Sequence, residues 1–246
     1  MSKFYVTATW DDVPHLSEQA KAELLKEIPS YQRDARTRGT PQLGAGAVFP
    51  IAETDIAVTD FFIPDYWRRG YALDVGWNKT AAIWGAHDNE AGVTYLYSEH
   101  YRGRAEAIIH SEAIKSRGSW IPGVIDPAAN ASDQKDGRRL KDIYQGTGLD
   151  LENAANSREA GIELTRTRLS EGRVKVFKSL SAWWTEFRTY QRNEHGAIMD
   201  EHKYHLMACT RYLILSGRDR WKPRPVPEKV QTKYVTPGLM GQSWMG

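Results

Sequence analysis

The chain has 246 residues, 41% of them hydrophobic and 26% charged, and a formal net charge of +2. That length buries a full core and fits one large domain, or one domain with appendages, while the near-neutral charge leaves any nucleic-acid binding to local basic patches. The single cysteine, Cys209, excludes a disulfide framework and a multi-cysteine zinc site, and no apolar run is long enough to span a membrane. With no signal peptide at the N-terminus, a cytoplasmic location is expected.

The first strand-like run is Phe4 to Trp10, rich in β-branched and aromatic residues. Ser17 is placed to cap a helix that runs to about Ile28. A Gly/Pro-rich stretch from Gly39 to Gly46 follows. One strand and one helix cannot bury a core, so this segment must pack on a larger unit.

From Trp67 the pattern alternates in α/β fashion, with strand-like runs at 70–74, 80–86, 92–99 and 121–126. Helices are expected at 103–117 and 136–145, and a short strand at 148–151. Beyond these come a helix at 157–170, a strand at 173–177, a helix at 182–191 and a last helix at about 201–216. Three adjacent strands followed by a helix and another strand is a ribonuclease H-like order, a mixed central sheet flanked by helices. The segment from Trp221 holds four of the eleven prolines and reads as an extended basic arm. The expected division is therefore 1–66 as a leading segment, 67–220 as the main domain and 221–246 as the tail.

Two of the strand-like runs end in an aspartate, Asp74 and Asp126. Strands that each carry one carboxylate at an end can bring them together, and paired carboxylates are what Mg²⁺ or Mn²⁺ needs. The alternative for each is an aspartate that merely closes a strand or turn. A further ligand is expected from the densest acidic and histidine cluster, Asp200-Glu201-His202-Lys203-Tyr204-His205. Glu201 and His205, four apart, are expected to share a helical face with Ala208, and Asp200 serves equally well as a helix cap. A zinc site is disfavoured, because the glutamate of a His-Glu-x-x-His helix is missing and Cys209 is expected to turn away from His205. Glu99, closing the third strand, fits an outer-shell carboxylate but reads better as a solvated one.

For contact with DNA phosphates, Lys135, Arg138 and Arg139 after Asp126 are the leading candidates, with Arg102 and Arg104 after the third strand. Each such run also fits a solvated face. No Gly-x-x-x-x-Gly-Lys-Ser/Thr loop and no Gly-x-Ser-x-Gly elbow occurs, so neither ATP hydrolysis nor serine-hydrolase chemistry is expected.

A string of short motifs then resembles the large terminase subunits of tailed bacteriophages. These are Asp126-Pro127-Ala128, Gln134-Lys135-Asp136-Gly137, Gly148-Leu149, Ala154-Ala155-Asn156-Ser157 and Glu159-Ala160-Gly161-Ile162. Downstream lie Leu169 to Phe177, Trp184-x-Glu186-Phe187-Arg188-x-Tyr190 and His205-Leu206-Met207 with Arg211-Tyr212. The likeness covers about residues 4–217. It implies the C-terminal nuclease half of a packaging motor: a Mg²⁺/Mn²⁺-dependent endonuclease with two ions, cutting concatemeric double-stranded viral DNA in the host cytoplasm. Implied partners are the terminase ATPase domain, the small subunit and, through the tail, the portal protein.

One departure matters. The family often reads Asp-His-Leu-Met-Asp before the Arg-Tyr pair, with an acid as the last metal ligand, whereas here the flanking residues are Tyr204 and Ala208. Asp74 and Asp126 are thus the firm pair and His205 a matched position, with Asp200 or Glu201 as the displaced acid. The other readings are a DNA-binding and portal-docking module with an incomplete nuclease site, and a junction-resolving nuclease of the same fold.

Overall fold

A computed structural model describes residues 9–13, 15–28, 33, 37, 46–130 and 139–226. Among them, seven strands form one sheet in the order β1-β7-β4-β3-β2-β5-β6. The strands are β1 (Ala57–Val58), β2 (Arg68–Asp74), β3 (Thr80–Asp88), β4 (Val93–Arg102), β5 (Gly123–Ile125), β6 (Leu151–Asn153) and β7 (Val174–Phe177). β3 runs antiparallel to both neighbours, and the remaining pairings are parallel. This mixed sheet, covered on both faces by helices, is the expected ribonuclease H-like architecture.

Side chains that alternate along the central strands divide the core in two. Ala72, Ala81, Ile83 and Ala86 face one side, where helices α5 (Arg158–Ser170), α6 (Ser181–Thr189) and α7 (His205–Leu215) bring Ile162, Leu169, Trp183, Trp184, Phe187, Leu206 and Met207. Tyr71, Leu73, Ala82 and Trp84 face the other, against Ile114 of α3 (Ala107–Lys115) and Tyr144 of α4 (Leu140–Gly146). β3 is buried on both faces for eight of its nine residues, which is why it reads as a continuous apolar run and not as an alternation.

At the N-terminus, Ser17 does cap helix α1 (Glu18–Glu27), its hydroxyl accepting from the Ala20 N–H at 3.2 Å. The expected strand at 4–10 lies largely outside the described residues, and Trp10 belongs to a short 3-10 turn. Position 66 marks no break in packing. The short helix α2 (Glu53–Ile56) and β1 precede it, and Val48, Phe49, Ile56 and Ile63 belong to the main core. Nor does the chain leave the body at Trp221. Gly70 and Gly85 face each other across β2 and β3, and the Trp221 indole fills the space that their missing side chains leave. A Cβ on Gly70 would lie 2.4 Å from the indole nitrogen, and one on Gly85 would lie 2.6 Å from the ring. Lys222 then pairs with Arg69 in an antiparallel bridge.

The last helix is shorter than its sequence pattern. Glu201–Lys203 form a 3-10 turn, Tyr204 leaves helical geometry, and α7 begins at His205.

Candidate metal centre and nucleic-acid cleft

The site lies at the carboxyl ends of β2 and β5. These strands are parallel neighbours with Leu73 opposite Ile125, so the next residue on each is an aspartate. The Asp126 N–H donates to the Leu73 carbonyl at 3.0 Å, which locks the two chain ends side by side. Asp74 and Asp126 are therefore neighbours at adjacent strand ends, one at the last residue of β2 and one just past β5. Asp126 also accepts from the Ala128 N–H at 3.0 Å, an aspartate turn that fixes its carboxylate.

Helix α7 approaches this pair with its N-terminus. His205 Nδ1 lies 2.9 Å from Asp74 Oδ2, and both side chains are mostly shielded from water. The hydrogen bond to Asp74 raises the pKa of His205 above its usual value, against the opposing effect of burial. Two turns on stands Tyr212, near Asp126; burial first, and then that carboxylate, raises its phenol pKa. His205, Ala208 and Tyr212 follow the three-and-four spacing of one helical face. This pattern brings in Tyr212, which the sequence reading named only as part of the Arg-Tyr pair. Ala208 lies between the two polar residues, so a methyl group stands where the family motif often has an acid.

Around Asp74 opens a cleft of about 480 Å³ lined by Tyr190, Glu201, His202, Tyr204, Arg211 and their neighbours. Glu201 reaches this cleft from the 3-10 turn and not from the face of α7, because the break at Tyr204 separates it from His205. Its carboxylate pairs with Arg158 at 3.0 Å. Asp200 has a left-handed backbone (φ 48°) and pairs with Lys203 at 2.5 Å, its side chain largely in solvent. It makes no capping bond and is not part of the cleft wall. Cys209, expected to point away from His205, shares its side of α7 at the i,i+4 spacing but is buried, with Sγ donating to the Ala81 carbonyl at 3.3 Å. Among the described residues, no group of three or more His, Cys, Asp or Glu side chains is arranged to hold a metal ion.

Two glutamates support the site from behind. Glu186 on α6 accepts from the Leu206 and Met207 N–H groups at 2.8 and 3.0 Å, so a carboxylate on another helix caps α7. Its burial outweighs these bonds and lifts its pKa to about 7. Glu99 is not solvated as expected. It accepts from the Ala182 and Trp183 N–H groups at 3.0 and 2.9 Å and caps α6 in the same way. Neither role was visible in the sequence, because in each case donor and acceptor lie far apart along the chain.

Of the basic candidates, Arg102 closes β4, Arg104 follows it, and Arg139 precedes α4; all three are exposed. The Arg104 N–H donates to the carbonyl of Trp77, in the turn that follows Asp74, at 2.8 Å. Lys135 and Arg138 lie outside the described residues.

No protein-family model matches the chain. It is 29% identical to the large terminase subunit of Salmonella phage P22 over 96% of its own length and 49% of the relative's. It is 31% identical to that of Enterobacteria phage LP7 over 86% of its length and 46% of the relative's, so it spans about half the length of these curated relatives. The solved nuclease domain of the P22 large terminase superposes with a TM-score of 0.62 at 32% identity, over 69% of this chain and 91% of that domain. A mixed sheet with two aspartates at adjacent strand ends, and this likeness across nearly all of a solved terminase nuclease, place the chain in one family: it belongs to the nuclease domains of phage terminase large subunits.

Proposed function

We propose that this chain is a Mg²⁺- or Mn²⁺-dependent endonuclease that cuts concatemeric double-stranded viral DNA during genome packaging. The observation that carries the reading is the pair Asp74 and Asp126, held side by side at the ends of parallel strands at the edge of an open cleft. Carboxylate oxygens are the donors that hard divalent cations take, so this pair fits one such ion with water completing its shell. A second ion would draw on Glu201, the other carboxylate in the cleft wall, once it parts from Arg158; the solvent-facing Asp200 contributes less. Ions bound in such sites lower the pKa of water and offset the charge on the leaving oxygen.

The chain's own residues supply the rest. Asp74 and Asp126 hold negative charge at the strand ends, and His205 fixes the rotamer of Asp74. Arg211, its guanidinium 4.5 Å from the Tyr212 ring centroid and bonded to Asn156 at 3.1 Å, presents positive charge to a phosphate in the cleft. Arg102, Arg104, Arg139, Lys135 and Arg138 would contact the DNA backbone without reading sequence. The nuclease unit is 67–220 together with residues 46–66 and 221–226, which share its core. Partners would be the terminase ATPase domain, the small subunit and, through the tail, the portal protein, all in the host cytoplasm. No described helix is long and apolar enough to cross a membrane.

The test is cleavage of supercoiled plasmid with Mn²⁺, Mg²⁺ or chelator, comparing the wild type with Asp74→Ala and Asp126→Ala. Nicking that requires metal and both aspartates supports the reading, and metal-independent nicking, or nicking by either variant, refutes it. Ala208 favours a second reading, a DNA-binding and portal-docking module whose cutting site is incomplete. In that case the wild type binds DNA without cutting, and Ala208→Asp gains metal-dependent nicking.

A further inference from the structure

The turn between β2 and β3 presents a large aromatic side chain to solvent three residues after Asp74. Trp77 is 63% exposed, unusual for an indole that has an apolar core within reach. The turn that carries it is held rigidly. Thr80 Oγ1 donates to the Gly76 carbonyl at 3.0 Å, and the Arg104 N–H takes the Trp77 carbonyl. Gly103 is needed for this contact, because a Cβ there would lie 2.0 Å from the Asn78 carbonyl oxygen. Arg104 itself adopts a left-handed backbone (φ 53°), a costly conformation for a non-glycine residue, in making it.

Beside the indole runs a groove of about 360 Å³, lined by Val75, Ala107, Leu140, Ile143 and Tyr144. One carboxylate, Glu106, lines the groove, and three cations stand near it. Lys79 lies over the Tyr101 ring at 4.1 Å, Arg102 is opposite Thr80 in the strand register, and Arg139 directly precedes Leu140. An apolar groove, an exposed indole on a braced turn and cations nearby that outnumber the one lining acid match a nucleotide: a base for the indole and a phosphate for the cations. Trp77 lies only three residues past Asp74, so the groove sits close to the end of β2 that carries that carboxylate.

We infer that Trp77 and its groove form a base-stacking site for an unpaired nucleotide of the DNA strand engaged at Asp74. The inference rests on the DNA-cleaving function proposed above and adds that the enzyme grips locally unstacked DNA through an aromatic platform. Single strands, frayed ends and gapped duplexes would then bind more tightly than intact duplex.

The experiment is binding without cleavage, in chelator and at low salt, to a single-stranded oligonucleotide carrying 2-aminopurine and to its fully abasic counterpart. Wild type is expected to quench 2-aminopurine emission and to bind the base-containing strand about ten-fold more tightly than the abasic one. Trp77→Ala should abolish the quenching and bind both strands equally, while Trp77→Phe keeps most of both effects. Circular dichroism and urea titration are expected to match the wild type, since the side chain is exposed. Trp77→Ala that quenches and discriminates like the wild type overturns the inference and leaves the nuclease reading standing. A wild type that binds neither strand also overturns the inference, while plasmid nicking decides the nuclease reading separately.

Discussion

Glu186 makes a prediction that can be worked through from its surroundings. Burial raises its pKa from the ordinary 4.5 to about 7, although two backbone N–H groups and Tyr101 favour the charged form. A carboxyl that binds its proton more tightly in the folded chain than in the unfolded one stabilises the fold when protonated. Its contribution is therefore complete below about pH 4.5 and is lost as pH rises through about 7. The displacement corresponds to on the order of 3 kcal/mol. His205, whose pKa is also raised, adds a slope of the same sign over its own range. Glu186→Gln keeps an oxygen to accept from Leu206 and Met207 but cannot ionise. In urea unfolding between pH 5 and 8.5, the wild type should lose on the order of 3 kcal/mol more than this variant, which should become the more stable protein above pH 7. Glu186→Ala removes the cap as well, and should fall below Glu186→Gln by about 1–2 kcal/mol throughout the range. Stability curves for wild type and Glu186→Gln that run parallel across this range would refute the argument.

Trp221→Ala should destabilise the fold by about 3–5 kcal/mol, read as a lower urea midpoint, because it empties the slot over Gly70 and Gly85 and nothing nearby can collapse into it. Replacing Arg102, Arg104 and Arg139 with Ala, one at a time, should weaken DNA binding evenly across sequences. Each should lower the steepness of the logarithmic salt dependence by about 1, measured by fluorescence anisotropy in chelator.

What the sequence made legible follows its local signals. β2 to β4 are continuous runs of β-forming residues closed by turn residues, and the aspartates that end two of the strands could be read directly. The break at Tyr204 could not, because the apolar spacing continues through it. Tertiary bonds set the start of α7: Tyr204 to the Thr189 carbonyl, His205 to Asp74, and the Glu186 cap. Ala57–Val58 were missed because a two-residue strand carries no periodicity; β1 exists through its pairing with β7. Glu99 looked like a surface carboxylate since its partners, the free N–H groups of α6, lie some eighty residues further along. Trp221 was read with the prolines after it, yet the signal for its burial was present in Gly70 and Gly85, two strand glycines with no turn to explain them.

The anchoring of Trp221 also determines where a load on the C-terminal arm would enter the protein. Arg69, which pairs with Lys222, and Asp74 stand at opposite ends of β2, about 17 Å apart at the usual rise of a strand. Around this anchor, Arg220 pairs with Asp150 and with Glu152 at 3.1 Å, and Lys222 Nζ reaches Asp150 at 3.1 Å. Tension on the chain beyond Val226 is thus borne by β2 and by the β5–β6 side of the sheet, through a wedge of indole and a cluster of ion pairs. Asp74 and Asp126 lie at the other end of the sheet from this anchor, so a partner could pull on the arm while the carboxylates keep their spacing.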